Sequence, residues 1–214
     1  MKKSFLFSVI MLAVVGFTAP VHAATDEELC NKYYKANKFD EAFPVCKKSA
    51  EQGVAEGQYC VGEMYFYGKG VKRDYEKGLE WYEKAAENKS SDHKVGLAQI
   101  RLGFIHLNMT NDYVKAFKYF KMAAERNDPF AQYQVGLMYA GGHGVKQNYK
   151  KAVEFYKKAA RYWASAYVEL GKLYLKGYGV RQNRDEAKEH FGLACDNGLQ
   201  DGCDLYREMN EGKL

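Results

Sequence analysis

One short pattern recurs four times along this chain of 214 residues. It reads Val61-Gly62-x-x-Tyr65 … Ala85-Ala86, Leu102-Gly103-x-x-His106 … Ala123-Ala124, Val135-Gly136-x-x-Tyr139 … Ala159-Ala160 and Leu170-Gly171-x-x-Tyr174 … Ala194-Cys195. The marker glycines at 62, 103, 136 and 171 are separated by 41, 33 and 35 residues. A period in the mid-thirties is the length of a helix pair, and such a unit hides its apolar face only by stacking on copies of itself. The chain is therefore expected to be all-α, an α/α solenoid. Its repeats fall near 54–89, 95–127, 128–162 and 163–197, with a half unit at 26–53 before them and a capping helix within 198–214 after them.

Within a unit the residues divide the labour by position. In the first copy Ala55, Tyr59, Gly62 and Tyr65 share one side of a helical period. Gly68-Lys69-Gly70-Val71 follows, repeated later as Gly142-His143-Gly144-Val145 and Gly177-Tyr178-Gly179-Val180. Paired glycines at these sites suit a backbone that must turn through positive φ. Each second helix then opens behind Asp74, Asp112, Asn148 or Asn183, residues that cap a first turn. A small residue (Gly78, Ala116, Ala152, Ala187) lets the helices approach, and an aromatic four positions on (Tyr82, Phe120, Tyr156, Phe191) fills the gap.

The second copy departs from the pattern. Its interhelix loop lacks three residues and any glycine, so Asn108 or Asn111 is expected to supply the left-handed turn. Five extra residues around 89–96 lengthen either the preceding loop or the helix. In the half unit, Pro44 is compatible with a helix if it falls near the first turn, and Asp128-Pro129 reads as a helix cap and first residue.

The ends and the charge bound the function classes. Lys2 and Lys3, an apolar run from Phe5 to Phe17 and Val21-His22-Ala23 together read as an export signal over 1–23. The remaining 24–214 are expected to form a single repeat domain, periplasmic or secreted, with no membrane insertion and as a monomer. Without the two leader lysines, 30 basic and 27 acidic residues leave a net charge of +3. The two signs are interspersed at helical spacing, whereas nucleic-acid binding needs basic residues clustered on one face; no nucleic-acid partner is expected.

Export makes disulfides possible for Cys30, Cys46, Cys60, Cys195 and Cys203. Cys30 and Cys46 stand equally far on either side of a turn near Asn37-Lys38, which places them side by side on antiparallel helices. Cys195 and Cys203 frame the turn between the last two helices. Cys60 is left over, either as a buried thiol or as a competitor for Cys46.

The register of residues 55–86, A-x-x-x-Y-x-V-G-x-x-Y … G-x-G-V … D-x-x-K-x-x-x-W-Y-x-K-A-A, resembles the Sel1-like repeat, a relative of the tetratricopeptide repeat, and the likeness runs over about 26–214. Ala194-Cys195 and Cys203 also resemble the disulfide spacing of the Helicobacter cysteine-rich proteins, a secreted branch of that family. The resemblance implies a non-enzymatic scaffold or adaptor that binds a protein or peptide segment on a concave surface made by the front helices. Carried onto this chain, that surface comprises Tyr59, Glu63, Phe66 and Tyr67, then Ile100, Phe104 and Leu107, then Phe130, Tyr133 and Leu137, and Lys172.

The cysteine-rich relatives also raise a rival reading, binding or hydrolysis of β-lactams. Ser91-Asp92-His93-Lys94 has the Ser-x-x-Lys spacing of that chemistry, but the accompanying Ser-Asp-Asn and Lys-Thr-Gly motifs are missing. No catalytic residue is therefore assigned. Nor is a metal or cofactor expected: His93, His106, His143 and His190 lack paired i, i+4 spacing, and Gly141-Gly142-His143-Gly144 lacks the Lys-Ser/Thr of a phosphate loop.

Overall fold

The structure is a computed structural model that describes residues 24–214; the expected export signal at 1–23 lies outside the described residues. Among the described residues there are eleven helices and no strand. They are α1 (Asp26–Lys35), α2 (Phe39–Glu51), α3 (Ala55–Tyr67), α4 (Tyr75–Ala86), α5 (His93–Asn108), α6 (Tyr113–Glu125), α7 (Pro129–Gly141), α8 (Tyr149–Ala160), α9 (Ser165–Lys176), α10 (Arg184–Asp196) and α11 (Gln200–Asn210). Each packs against its chain neighbours, giving an all-α repeat superhelix in which α3, α5, α7 and α9 are the front helices. None of these helices is long and apolar enough to cross a membrane.

The marker glycines are explained by distance. A Cβ at Gly62, Gly103, Gly136 or Gly171 would meet the ring of Tyr82, Phe120, Tyr156 or Phe191 at 2.8, 2.7, 2.5 or 2.4 Å. The aromatic of each second helix therefore packs directly against the bare backbone of its own front helix, and all four rings are fully buried. At the loops, Gly68, Gly142 and Gly177 end the front helices in the left-handed region. In the shortened loop of the second copy that conformation falls to Asn111, at φ 53°.

Capping follows the expected residues. Asp74, Asp112 and Asn148 accept from the backbone N–H three positions on, Asn183 accepts from Asp185 and Glu186, and Asp128 accepts from Ala131 behind Pro129. The reciprocal capping box is at Thr25 and Glu28, which pins α1. The extra residues of the second copy are shared between a loop over 87–92 and an α5 of 16 residues. Arg126 ties that loop down by donating to the carbonyls of Ser90 and Asp92.

α1 and α2 form the expected antiparallel pair ahead of the first repeat, and one expectation about that unit is changed. Pro44 lies in the second turn of α2, since that helix starts at Phe39, behind the left-handed Asn37 and the N-cap Lys38. The Asp40 carbonyl loses its intrahelical donor there, and Pro44 is exposed, so water has access to that side of the helix. Cys30–Cys46 joins the two helices and Cys195–Cys203 joins α10 to α11. Cys60 is a buried free thiol, which resolves the open alternative.

Candidate functional site

The residues expected to line the front surface divide into two groups. Tyr59, Glu63 and Phe66 keep only 6, 5 and 8% of their surface and are internal. This corrects the expectation that they face a ligand. The cause is local crowding, because α1, α2, α4 and α5 all lie against α3. Tyr67 remains 47% exposed, with its ring edge on Phe66. Ile100, Phe104, Leu107, Phe130, Tyr133 and Leu137 are half-buried on α5 and α7, and Lys172 is exposed on α9.

Glu63 is the buried hub of a polar junction between the first and second repeats, with Arg101 and Lys69 reaching it from the surface. Its Oε1 accepts from the Tyr82 hydroxyl at 2.7 Å and the Tyr59 hydroxyl at 3.1 Å, and pairs with Arg101 Nε at 3.1 Å. Its Oε2 accepts from Tyr34 at 3.5 Å and lies 3.9 Å from Lys69 Nζ. A buried carboxylate is tolerable when its lone pairs are filled this way. Burial, with the Glu63 charge second, pushes the Tyr59 hydroxyl up to about 12, and the same two causes push Tyr82 up as well. Both phenols therefore stay neutral donors.

The middle of the surface is built differently. Phe104 stacks on Phe130 at 5.3 Å, and Phe130 meets Trp163 edge-on at 5.1 Å, so these rings bridge successive repeats while keeping part of their surface outside. The front helices are also more widely spaced here: α3 and α5 approach closely, whereas α5 and α7, and α7 and α9, do not. Between them opens a mainly apolar cavity of about 410 Å³, lined by Leu107, Leu137, Met138, Ala140 and Gly141 together with the polar Gln134, His143, Tyr156 and Glu169. Sequence reading placed Leu107 and Leu137 here. It missed Tyr156, read only as packing, and Glu169, which was not considered.

The remaining candidates are placed as follows. Ser91 is exposed and shares a shallow depression with His93, Gly96 and Arg126. Lys94 is turned away from it, 3.3 Å from Glu56 Oε1 and over the Tyr59 ring at 4.8 Å. The Ser-x-x-Lys spacing thus puts its lysine in an ion pair rather than beside a nucleophile. Glu56, Asp92 and His93 each offer a ligand atom within 4.8 Å of the others. Glu56 already holds Lys94 and Asp92 caps α5, so two of the three donors are committed. Cys60 Sγ donates to Glu56 at 3.6 Å, and burial first, then the Glu56 charge, pushes its thiol up, away from the reactive thiolate. His106 stands in place of the repeat tyrosine and stacks on Tyr119 at 5.6 Å, a packing role.

Helix pairs in this register, with a ring laid on a marker glycine in every unit, define a class of repeat scaffold. The Sel1 repeat family model matches residues 55–90, 96–128, 129–161 and 164–199, and the chain belongs to that family. Among known proteins it is similar to the Sel1-repeat-containing protein YjcO of Escherichia coli strain K12, at 26% identity over 86% of this chain and 82% of YjcO. It is 32% identical over 62% of its length to the ERAD-associated E3 ubiquitin-protein ligase component HRD3B of Arabidopsis thaliana, of which it spans 21%. Among solved structures it resembles c5321, described as a protective antigen of uropathogenic Escherichia coli, with 28% identity and a TM-score of 0.77. That match covers 88% of this chain and 41% of c5321. A Sel1 repeat protein from Oxalobacter formigenes matches at 28% identity and a TM-score of 0.74, covering 83% of this chain and 72% of its own.

Proposed function

We propose that this chain is an exported, non-enzymatic adaptor that holds a segment of a partner protein on the front surface of α5, α7 and α9. Sel1 repeat proteins are in general protein-interaction scaffolds, and among the described residues the Ser91-x-x-Lys94 pair is split, with Lys94 held by Glu56. The observation that carries the reading is the run of half-buried apolar side chains Ile100, Phe104, Leu107, Phe130, Tyr133 and Leu137. A contiguous apolar surface rimmed by polar residues is the ordinary form of a groove for a peptide segment. Two disulfides fit an oxidising compartment, which supports export to the periplasm or beyond.

The test starts from peptides selected on the folded protein from a displayed random library. Changing Ile100, Leu107 and Leu137 together to Asn should weaken the selected peptides by at least about thirtyfold, the effect of losing a central apolar anchor. Val114→Asn on the outer helix α6, where Val114 is also exposed, should leave binding unchanged. Retained binding in the triple variant, with helicity intact by circular dichroism, overturns the groove.

A further inference from the structure

The cavity between α7 and α9 differs from the ion-paired junction between α3 and α5 by a few exchanges at matching positions. Counting from the marker glycines, Tyr133 and Tyr156 stand where Tyr59 and Tyr82 stand in the first repeat. The ring pairs are alike, with centroids 5.9 and 5.8 Å apart. Leu137 replaces Glu63, Glu169 replaces Arg101, and His143 replaces Lys69. The carboxylate has thus moved to the opposite wall, and the guanidinium that fills the first junction has no counterpart here.

Two consequences are visible. Tyr156 is fully buried, lines the cavity, and its hydroxyl has no hydrogen-bond partner among the described residues, whereas the matching Tyr82 hydroxyl donates to Glu63. An unpaired buried hydroxyl is costly, and its oxygen remains free to accept from a donor that enters the cavity. Among the described residues Glu169 meets only Lys172, at 2.8 Å, in an i, i+3 pair whose lysine is about half exposed. Such a surface pair is weak and easily exchanged for another cation.

The geometry points to this cavity as a subsite for an arginine side chain presented by the partner segment, an inference that rests on the groove reading above. The aliphatic stem lies along Leu107, Leu137 and Met138. The guanidinium takes the place Arg101 fills in the first junction, donating to Glu169 and to the oxygen of Tyr156. Arginine suits a site with apolar walls and one carboxylate because its stem buries well and its planar head donates in two directions.

The experiment uses three five-residue probes, Ac-Ala-Ala-X-Ala-Ala-amide, with X as arginine, citrulline or norleucine, titrated while amide shifts of the protein are followed by NMR. The arginine probe should shift Leu137, Gly141 and Lys172 and bind at least about tenfold more tightly than either uncharged probe, as a charge-assisted pair demands. Glu169→Gln should abolish that preference. Leu137→Glu combined with Glu169→Arg rebuilds the first junction and should remove binding while circular dichroism remains helical. Equal or tighter binding of norleucine, an unchanged preference in Glu169→Gln, or no binding of arginine at millimolar concentration overturns the assignment. If library-selected peptides still need Ile100 and Leu107 in any of those cases, the groove stands and only the arginine subsite falls.

Discussion

At the scale of single residues, Glu63 and Gly136 show how unequal the repeats are. Glu63 holds two phenols and Arg101 in a buried junction, so Glu63→Ala should cost about 1–3 kcal/mol, the penalty of stranding buried donors. Urea unfolding measures it, and a loss below about 0.5 kcal/mol, within the range of ordinary surface substitutions, would contradict the hub. Gly136→Ala sets a Cβ 2.5 Å from Tyr156 Cε1 and should cost a further about 1–3 kcal/mol by overpacking. The glycines and caps were legible in the sequence because they answer to backbone geometry within a few residues. The burial of Tyr59, Glu63 and Phe66 was not, because it depends on which other helices lie on α3.

Two histidines give the chain a pH signature. Burial first lowers both His106 and His190, and both nitrogens of His190 are buried and unpaired. Tyr167 and Tyr174 from α9 and Lys157 from α8 face His190, with Glu186 and Glu189 on its own helix partly opposing the shift. His106 is faced by Tyr119, Lys115 and Asp112, and by Glu83 of α4. The unfolded histidines take up protons below about pH 6.5 that the folded ones refuse. Stability is therefore complete above that pH and declines as the pH falls beneath it. Urea midpoints near neutrality and near pH 5 test this, and His190→Gln should flatten the slope; a midpoint that rises on acidification would contradict it.

At the scale of elements, the disulfides close the two ends of the array. Cys30–Cys46 ties α1 to α2 across a separation of 16 residues, and loop-closure arithmetic assigns such a bridge about 3 kcal/mol. Replacing both cysteines by serine should lower unfolding stability by about 2–3 kcal/mol. Alkylation of the denatured, unreduced chain should label Cys60 alone; three labelled thiols would break the pairing. The equidistance of Cys30 and Cys46 from one turn made this pair readable. Pro44 was expected near the first turn of its helix, but α2 starts at Phe39, immediately behind the Asn37-Lys38 turn, which carries Pro44 one turn further in. In the same way Thr25 and Glu28 carried a capping-box signal that was overlooked.

At the scale of the whole molecule, a repeating register fixes the path of the chain and leaves the spacing of units to local exchanges. The period of the marker glycines made the superhelix legible in full. It said nothing about which junctions are filled, since that depends on pairs such as Glu63 with Arg101 that sit in different repeats. The first junction is closed by its own charges, while α5, α7 and α9 leave an apolar strip and a cavity with an unpaired phenol. The proposed groove therefore falls in the middle of the array and not at its N-terminal end.

The most direct measurement is amide shift mapping of a library-selected peptide bound to the folded chain. Binding on the front surface predicts shifts concentrated at Ile100, Leu107, Leu137 and their neighbours on α5, α7 and α9. Shifts confined to the outer helices α6 and α8 would contradict the account.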